Sequence, residues 1–215
     1  MLARSIVIEA AAVAADLVAT PQVRDNWDEP SSLDDMTVGA LAAHLIRATG
    51  AVIAYLERSD PTLTAADLKP GELLTKITYF RAALEAPIHD RIKQVSATES
   101  EPGPEELAAK ARRVADSLAG RLLEEPAERL IGALEGRMLT LDDFCRTRMI
   151  EIMMHVDDLA WSVGLPTPDA PEATAEIIDI LIGIARDRHG DWGVIHALGR
   201  TERRLRDDPP VFPVF

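Results

Sequence analysis

The sequence predicts an all-α fold, an up-and-down four-helix bundle carrying a short C-terminal helical extension. Three observations predict it. Ala, Leu, Glu and Arg dominate the composition, β-branched alternation is scarce, and the prolines fall between segments of helical periodicity. Four or five long helices joined by loops of moderate length favour a bundle over an α/β fold, and strands are not expected anywhere. A chain of 215 residues that is 47% hydrophobic buries a full core without disulfides or structural metal, so folding is not the reason for a metal.

The first helix is expected over Ser5 to Ala19, stopping before Pro21. Its apolar run resembles a signal peptide, but Glu9 and Asp16 interrupt it, which reads as an amphipathic helix. A polar, turn-rich stretch over residues 25–32 follows. The second helix opens near Asp35 or Thr37, either of which can cap it, and runs to Arg58. After a loop holding Pro61 and Pro70, a third helix spans Glu72 to Val95, kinked or divided by Pro87, and Ser96 to Pro104 forms a linker. The fourth helix opens at Pro104 with Glu105 and Glu106 placed well against the dipole, and extends to about Glu125. The fifth runs from Leu141 to Val163 and stops at Gly164, with Pro166 beyond. A last helix, Glu172 to Arg188, a short piece near Val194 to Leu198 and a charged tail complete the chain. The organisation is therefore a bundle over residues 1–166 and an extension over residues 167–215.

Thirty-six acidic against 23 basic residues give a formal net charge of -13, which repels phosphate backbones and argues against nucleic acid as a partner. The single cysteine, Cys145, has no internal partner and fits a reducing, cytoplasmic setting. No stretch reaches the ~20 apolar residues that span a bilayer, so no membrane partner is expected.

The chemistry concentrates on the fifth helix. Arg148, Glu151, His155 and Asp158, spaced three, four and three apart, fall on one narrow polar stripe. Ile152, Val156, Leu159 and Val163 border it on one side and Ile150, Met154 and Trp161 on the other, so the stripe is read as enclosed, with some of its charge pointing inward. Buried charge needs a partner, either a metal ion or a closed network among the four side chains. Glu and His at i and i+4 leave one face a turn apart and can reach one cation, although on exposed helices such pairs usually mark a salt bridge. A third ligand would come from another helix, and His44, among Ala40, Leu41, Ala43, Leu45 and Ala48, is the best placed. The plainer reading of His44 is a core histidine satisfied by a carboxylate. His89, His189 and His196 lie in more polar surroundings and read as surface residues. Cys145 projects with Ile152, Val156 and Leu159 and reads as a core thiol.

Two stretches then carry a family resemblance. Trp27, the helix start Thr37-Val38 and Ala42-Ala43-His44-Leu45 form the first; Arg148-x-x-Glu151-x-x-x-His155-x-x-Asp158-Leu159 forms the second, more specific one. The chain resembles the mycothiol-dependent maleylpyruvate isomerase-like proteins of the wider DinB-like bundle superfamily. The resemblance covers about Ala10 to Pro166 and implies a bundle binding a divalent metal, commonly zinc, with nickel or another ion as alternatives, through His44, Glu151 and His155. Met36 departs from the family, standing where a tryptophan often precedes the Thr-Val helix start. The sequence also departs from the family after Pro166: the family's isomerase carries a second, C-terminal domain that contributes to its site, while residues 167–215 are all that follow here.

Three protein ligands with open positions are the catalytic form of zinc, which lowers the pKa of a bound water or thiol. The resemblance implies mycothiol, or another low-molecular-weight thiol, as the cosubstrate that supplies the nucleophile. Arg148 either orients a substrate or ligand or pairs with Glu151 or Asp158. Asp158 either accepts a hydrogen bond from His155 or steadies the loop after the helix. The expected function is a metal- and thiol-dependent S-transferase or isomerase acting on a small electrophile. The alternative is a non-catalytic bundle that binds metal or a small ligand. An apolar C-terminal helix would serve a homodimer.

Overall fold

The computed structural model of the chain describes residues 3–59, 87–126, 128–132, 137–199 and 211. Among these the protein is mainly helical. Seven helices are present: α1 (Ala3–Val18), α2 (Pro21–Asp25), α3 (Val38–Arg58), α4 (Pro87–Ser100), α5 (Pro104–Leu122), α6 (Leu141–Ser162) and α7 (Pro171–Gly199). Two short strands, β1 (Leu130–Gly132) and β2 (Met138–Thr140), pair antiparallel between α5 and α6. α1 packs on α5 and α6, and α3 packs on α4, α5 and α6, so α1, α5, α3 and α6 each touch at least two of the others around one core.

The core follows from the sequence pattern. α1 turns Ile6, Val7, Ala10, Ala14 and Leu17 inward, and the two alanines let α5 and α6 approach closely. α3 buries Leu41, Leu45 and Val52, while α6 contributes Phe144, Met149, Ile152, Val156 and Leu159. By length and composition Val38–Arg58 is apolar enough to cross a membrane, contrary to the expectation that no stretch would be. Its hydropathy has a different cause here: neighbours on several sides bury it as the central helix of the core.

Local chemistry sets the helix ends that matter for the site. Thr37, not Asp35, caps α3: its Oγ1 accepts from the amide of Ala40, while Asp35 takes a left-handed conformation in the preceding turn. Trp27 docks on the first turn of α3, with the Gly39 amide donating to the Trp27 carbonyl at 2.8 Å. A Cβ on Gly39 would lie only 2.5 Å from the indole, so glycine is required there for this close approach. Thr140 caps α6 through the Asp143 amide, and Gly164, at φ 69°, ends it as expected. Arg4, almost fully buried, joins α1 to both flanks. Its guanidinium pairs with Asp142 at 2.5 Å and donates to the carbonyls of Leu122, Glu125 and Pro126 at the end of α5.

Several expectations are corrected. The linker expected over Ser96 to Pro104 is helical to Ser100, because Ser96 is buried against α3 and satisfies its hydroxyl on the Ile92 carbonyl. α4 is described from Pro87, and whether that proline kinks or divides a longer helix lies outside the described residues. The part of the third predicted helix over residues 72–86 lies outside the described residues. The β1/β2 pair was not expected; strands this short leave no alternation to detect. α2 was not expected either, and is capped by Thr20 with Pro21 at its first position. The last helix and the short piece after it run as one element broken at Gly190, whose φ of 70° is non-helical.

Candidate metal centre

Thr37 starts α3 so that His44 lies two turns in, on the face toward α6. There it meets His155. The Nε2 atoms of the two rings are 3.0 Å apart and the rings meet edge to face, with centroids separated by 4.5 Å. Glu151, one turn before His155, places Oε2 3.9 Å from His155 Nε2. Donor atoms of His44, Glu151 and His155 all lie within 4.8 Å of one another, and all three residues are partly buried. Among the described residues these three form the cluster able to hold a metal ion.

The donor set fits a divalent cation. Two nitrogens bonded to one zinc at about 2.0–2.1 Å and lying side by side in its coordination shell are roughly 3.0–3.4 Å apart, which matches the observed pair. Two imidazoles and one carboxylate suit zinc and its neighbours in the first transition row.

Surrounding groups orient the rings. Asp158 Oδ2 lies 3.0 Å from His155 Nδ1 and holds the proton there, leaving the Nε2 lone pair directed at the cluster. His44 Nδ1 lies 2.8 Å from Arg47 Nη2. Burial, followed by the charges of His155, Arg47 and Arg148, pushes the pKa of His44 down to about 3, so the ring is neutral at physiological pH. Arg148 is 3.9 Å from Glu151 through Nη2, and its guanidinium sits over the Phe144 ring at 5.5 Å. The rim is tied down by Ser32, whose hydroxyl donates to the Asp158 carbonyl and whose amide donates to Ser162 Oγ at 2.8 Å.

The stripe on α6 is not enclosed on both sides. Ile152, Val156 and Leu159 are buried on one flank; on the other Ile150 is buried too, but Met154 is 51% and Trp161 79% exposed. Cys145 is fully buried, and burial followed by the Asp142 charge pushes its thiol up to about 12, so it supplies no thiolate to the site. His89, His189 and His196 are half-buried rather than exposed, and His89 Nε2 is itself shielded from solvent; none of them joins the cluster.

Sequence reasoning missed Arg47, Ser96 and Glu99. Arg47 Nη1 pairs with Glu99, and Nη2 donates to Ser96 Oγ at 2.9 Å as well as facing His44. Arg47 stands three residues after His44, on the same helix face, and that spacing was its available signal. Ser96 and Glu99 gave none while their segment was read as a linker.

Residues 7–160 match the family described as mycothiol maleylpyruvate isomerase N-terminal domain. The chain belongs to this family. No curated protein and no solved structure matches it. The match runs from α1 nearly to the end of α6 and takes in His44, Glu151, His155 and Asp158, while α7 lies beyond it. Membership associates the chain with mycothiol-linked domains of the DinB-like, metal-binding kind and points to an isomerase-type enzyme.

Proposed function

We propose that the protein is a divalent-metal-dependent, mycothiol-dependent S-transferase or isomerase acting on a small electrophile, with His44, Glu151 and His155 as the metal ligands. The observation that carries this reading is the approach of the two imidazole Nε2 atoms to 3.0 Å, from two helices, in a member of the mycothiol maleylpyruvate isomerase family. A zinc ion held there would supply Lewis acidity that makes a small thiol nucleophilic near neutral pH.

The chain's own residues prepare the site around that group. Asp158 fixes the proton of His155 on Nδ1, so that Nε2 is ready to ligate. Arg148, steadied by Phe144 and Glu151, orients an anionic part of the substrate or thiol. The exposed edge with Met154 and Trp161 leaves the site approachable. The thiol comes from outside, since Cys145 is buried and protonated. In this reading residues 1–166 form an up-and-down four-helix bundle built on α1, α3, α5 and α6, and residues 167–215 a helical extension that serves a homodimer. The setting is the cytoplasm, and the partners are small molecules rather than nucleic acid or membrane.

The test incubates zinc-loaded protein with mycothiol and a panel of small electrophiles, alongside metal-free protein and His155→Ala. Adduct formation that needs both zinc and thiol is expected. Rates equal to both controls, with no thiol binding by calorimetry, would make a non-catalytic ligand-binding bundle the better account.

A further inference from the structure

α7 before its break at Gly190 is apolar on nearly every side: residues 177–185 hold a single charge, Asp179, among isoleucines, a leucine, a glycine and an alanine. A helix that is apolar all round is normally covered all round. Here the body of the protein covers one side, burying Ala173, Ile177, Ile184 and Ala185. At 100° per residue the opposite side carries Ala175, Asp179, Ile182, Gly183, Arg186 and Gly190, the three- and four-residue spacing of a helix that packs on another helix. That side is open. Ile178 at its edge is 59% exposed, Asp179 and Arg186 are exposed, and a Cβ on Gly183 would meet nothing within 4 Å. The missing side chains of Gly183 and Gly190 leave a hollow of about 520 Å³ beside Arg186, Asp187 and Asp191.

The charges of this helix are sorted along its length. Residues 171–182 carry Glu172, Glu176 and Asp179 and no base, while residues 183–189 carry Arg186 and Arg188 against Asp187. Two copies laid side by side in the same direction would set acid against acid; laid antiparallel, they set acid against base. With a two-fold axis passing between Ile182 and Gly183, Asp179 of each copy stands level with Arg186 of the other, because both lie three residues outside the central pair. Gly183 then meets its own copy at the axis, where the absence of side chains lets the backbones close, and Ile182 meets its copy beside it. Asp179 makes no ion pair within its own chain among the described residues. Arg186 pairs with Asp191, beyond the break, at 2.7 Å, but that pair is exposed and competes weakly.

We propose that the outer face of α7 is a self-complementary interface at which a second copy of this chain docks antiparallel, with Asp179 and Arg186 forming reciprocal ion pairs across the two-fold axis. It rests on the homodimer reading of the extension and is independent of the metal centre.

Sedimentation velocity of the full chain from about 1 μM to about 1 mM reads the association. Wild type is expected to form a concentration-dependent dimer. Asp179→Arg and Arg186→Asp each set like charges at both reciprocal contacts, and each is expected to raise the dissociation constant roughly tenfold or more. Mixed in equal amounts, the two variants recover association, because every like pair between them becomes an opposite one. The double variant, Asp179→Arg with Arg186→Asp, restores opposite charges within one chain and is expected to associate as wild type does. A wild-type dimer that neither single variant weakens leaves the homodimer standing and refutes this face. A mixture and a double variant as weak as the single variants refute the antiparallel pairing. Wild type that stays monomeric throughout the series removes the homodimer and this face together. Should a single variant fail to fold by circular dichroism, the double variant decides alone.

Discussion

Acidification of the metal-free protein tests the electrostatics of the site directly. His44 is held neutral, with its pKa lowered from 6.5 to about 3 chiefly by burial and next by the positive charges around it. A depressed folded-state pKa means that the unfolded chain binds the proton first as pH falls. The folded state is then favoured fully only above the unfolded value, and stability is lost progressively from about pH 6.5 down toward about pH 3. Integrated over that window, the loss from this one group is on the order of 2 kcal/mol between pH 7 and pH 5, and about 3 kcal/mol by pH 4. Acid acts on other parts of the fold as well, so the quantity to measure is a difference. Urea unfolding of metal-free wild type and His44→Gln, followed by circular dichroism from pH 7 to pH 4, isolates it. The variant should show the shallower dependence, with the two curves converging by roughly the amounts above. Parallel curves would refute the claim that a buried neutral imidazole is the acid-sensitive element of the site.

Three further outcomes are expected. Arg4→Met should cost about 3–5 kcal/mol in urea unfolding, because it strands the Asp142 carboxylate and three carbonyls at the end of α5; a loss below about 1 kcal/mol would mean that water replaces the network. Gly39→Ala should cost about 1–3 kcal/mol, since its Cβ would meet the Trp27 indole at 2.5 Å, and Trp27 fluorescence should shift as the ring is displaced; an unchanged midpoint would show that the indole relocates freely. Chelation of the metal should leave most of the helical circular dichroism in place, because the apolar core is continuous without the site, and loss of most of that signal would mark the metal as structural.

What the sequence determined by itself was whatever periodicity and local chemistry encode. The helical character of the long segments, the opening of α3 near Asp35 or Thr37, and the run of α6 from Leu141 to a stop before Gly164 follow from caps, prolines and glycines that act within a few residues. The stripe of Arg148, Glu151, His155 and Asp158 was legible for the same reason, since a helix fixes which side chains share a face. Contacts between helices have no such local code. That His44 meets His155 at 3.0 Å depends on α3 and α6 packing side by side, and that Arg47 claims the far side of His44 depends on α4 bringing Ser96 and Glu99 against it. Burial likewise belongs to the assembled molecule: Trp161 and Ile152 are both apolar and both flank the stripe, yet one stands in solvent and the other is sealed, because the neighbours of α6 cover Ile152 and leave Trp161 bare. The sequence named the donors, and tertiary packing decided which nitrogen each presents and what holds its proton.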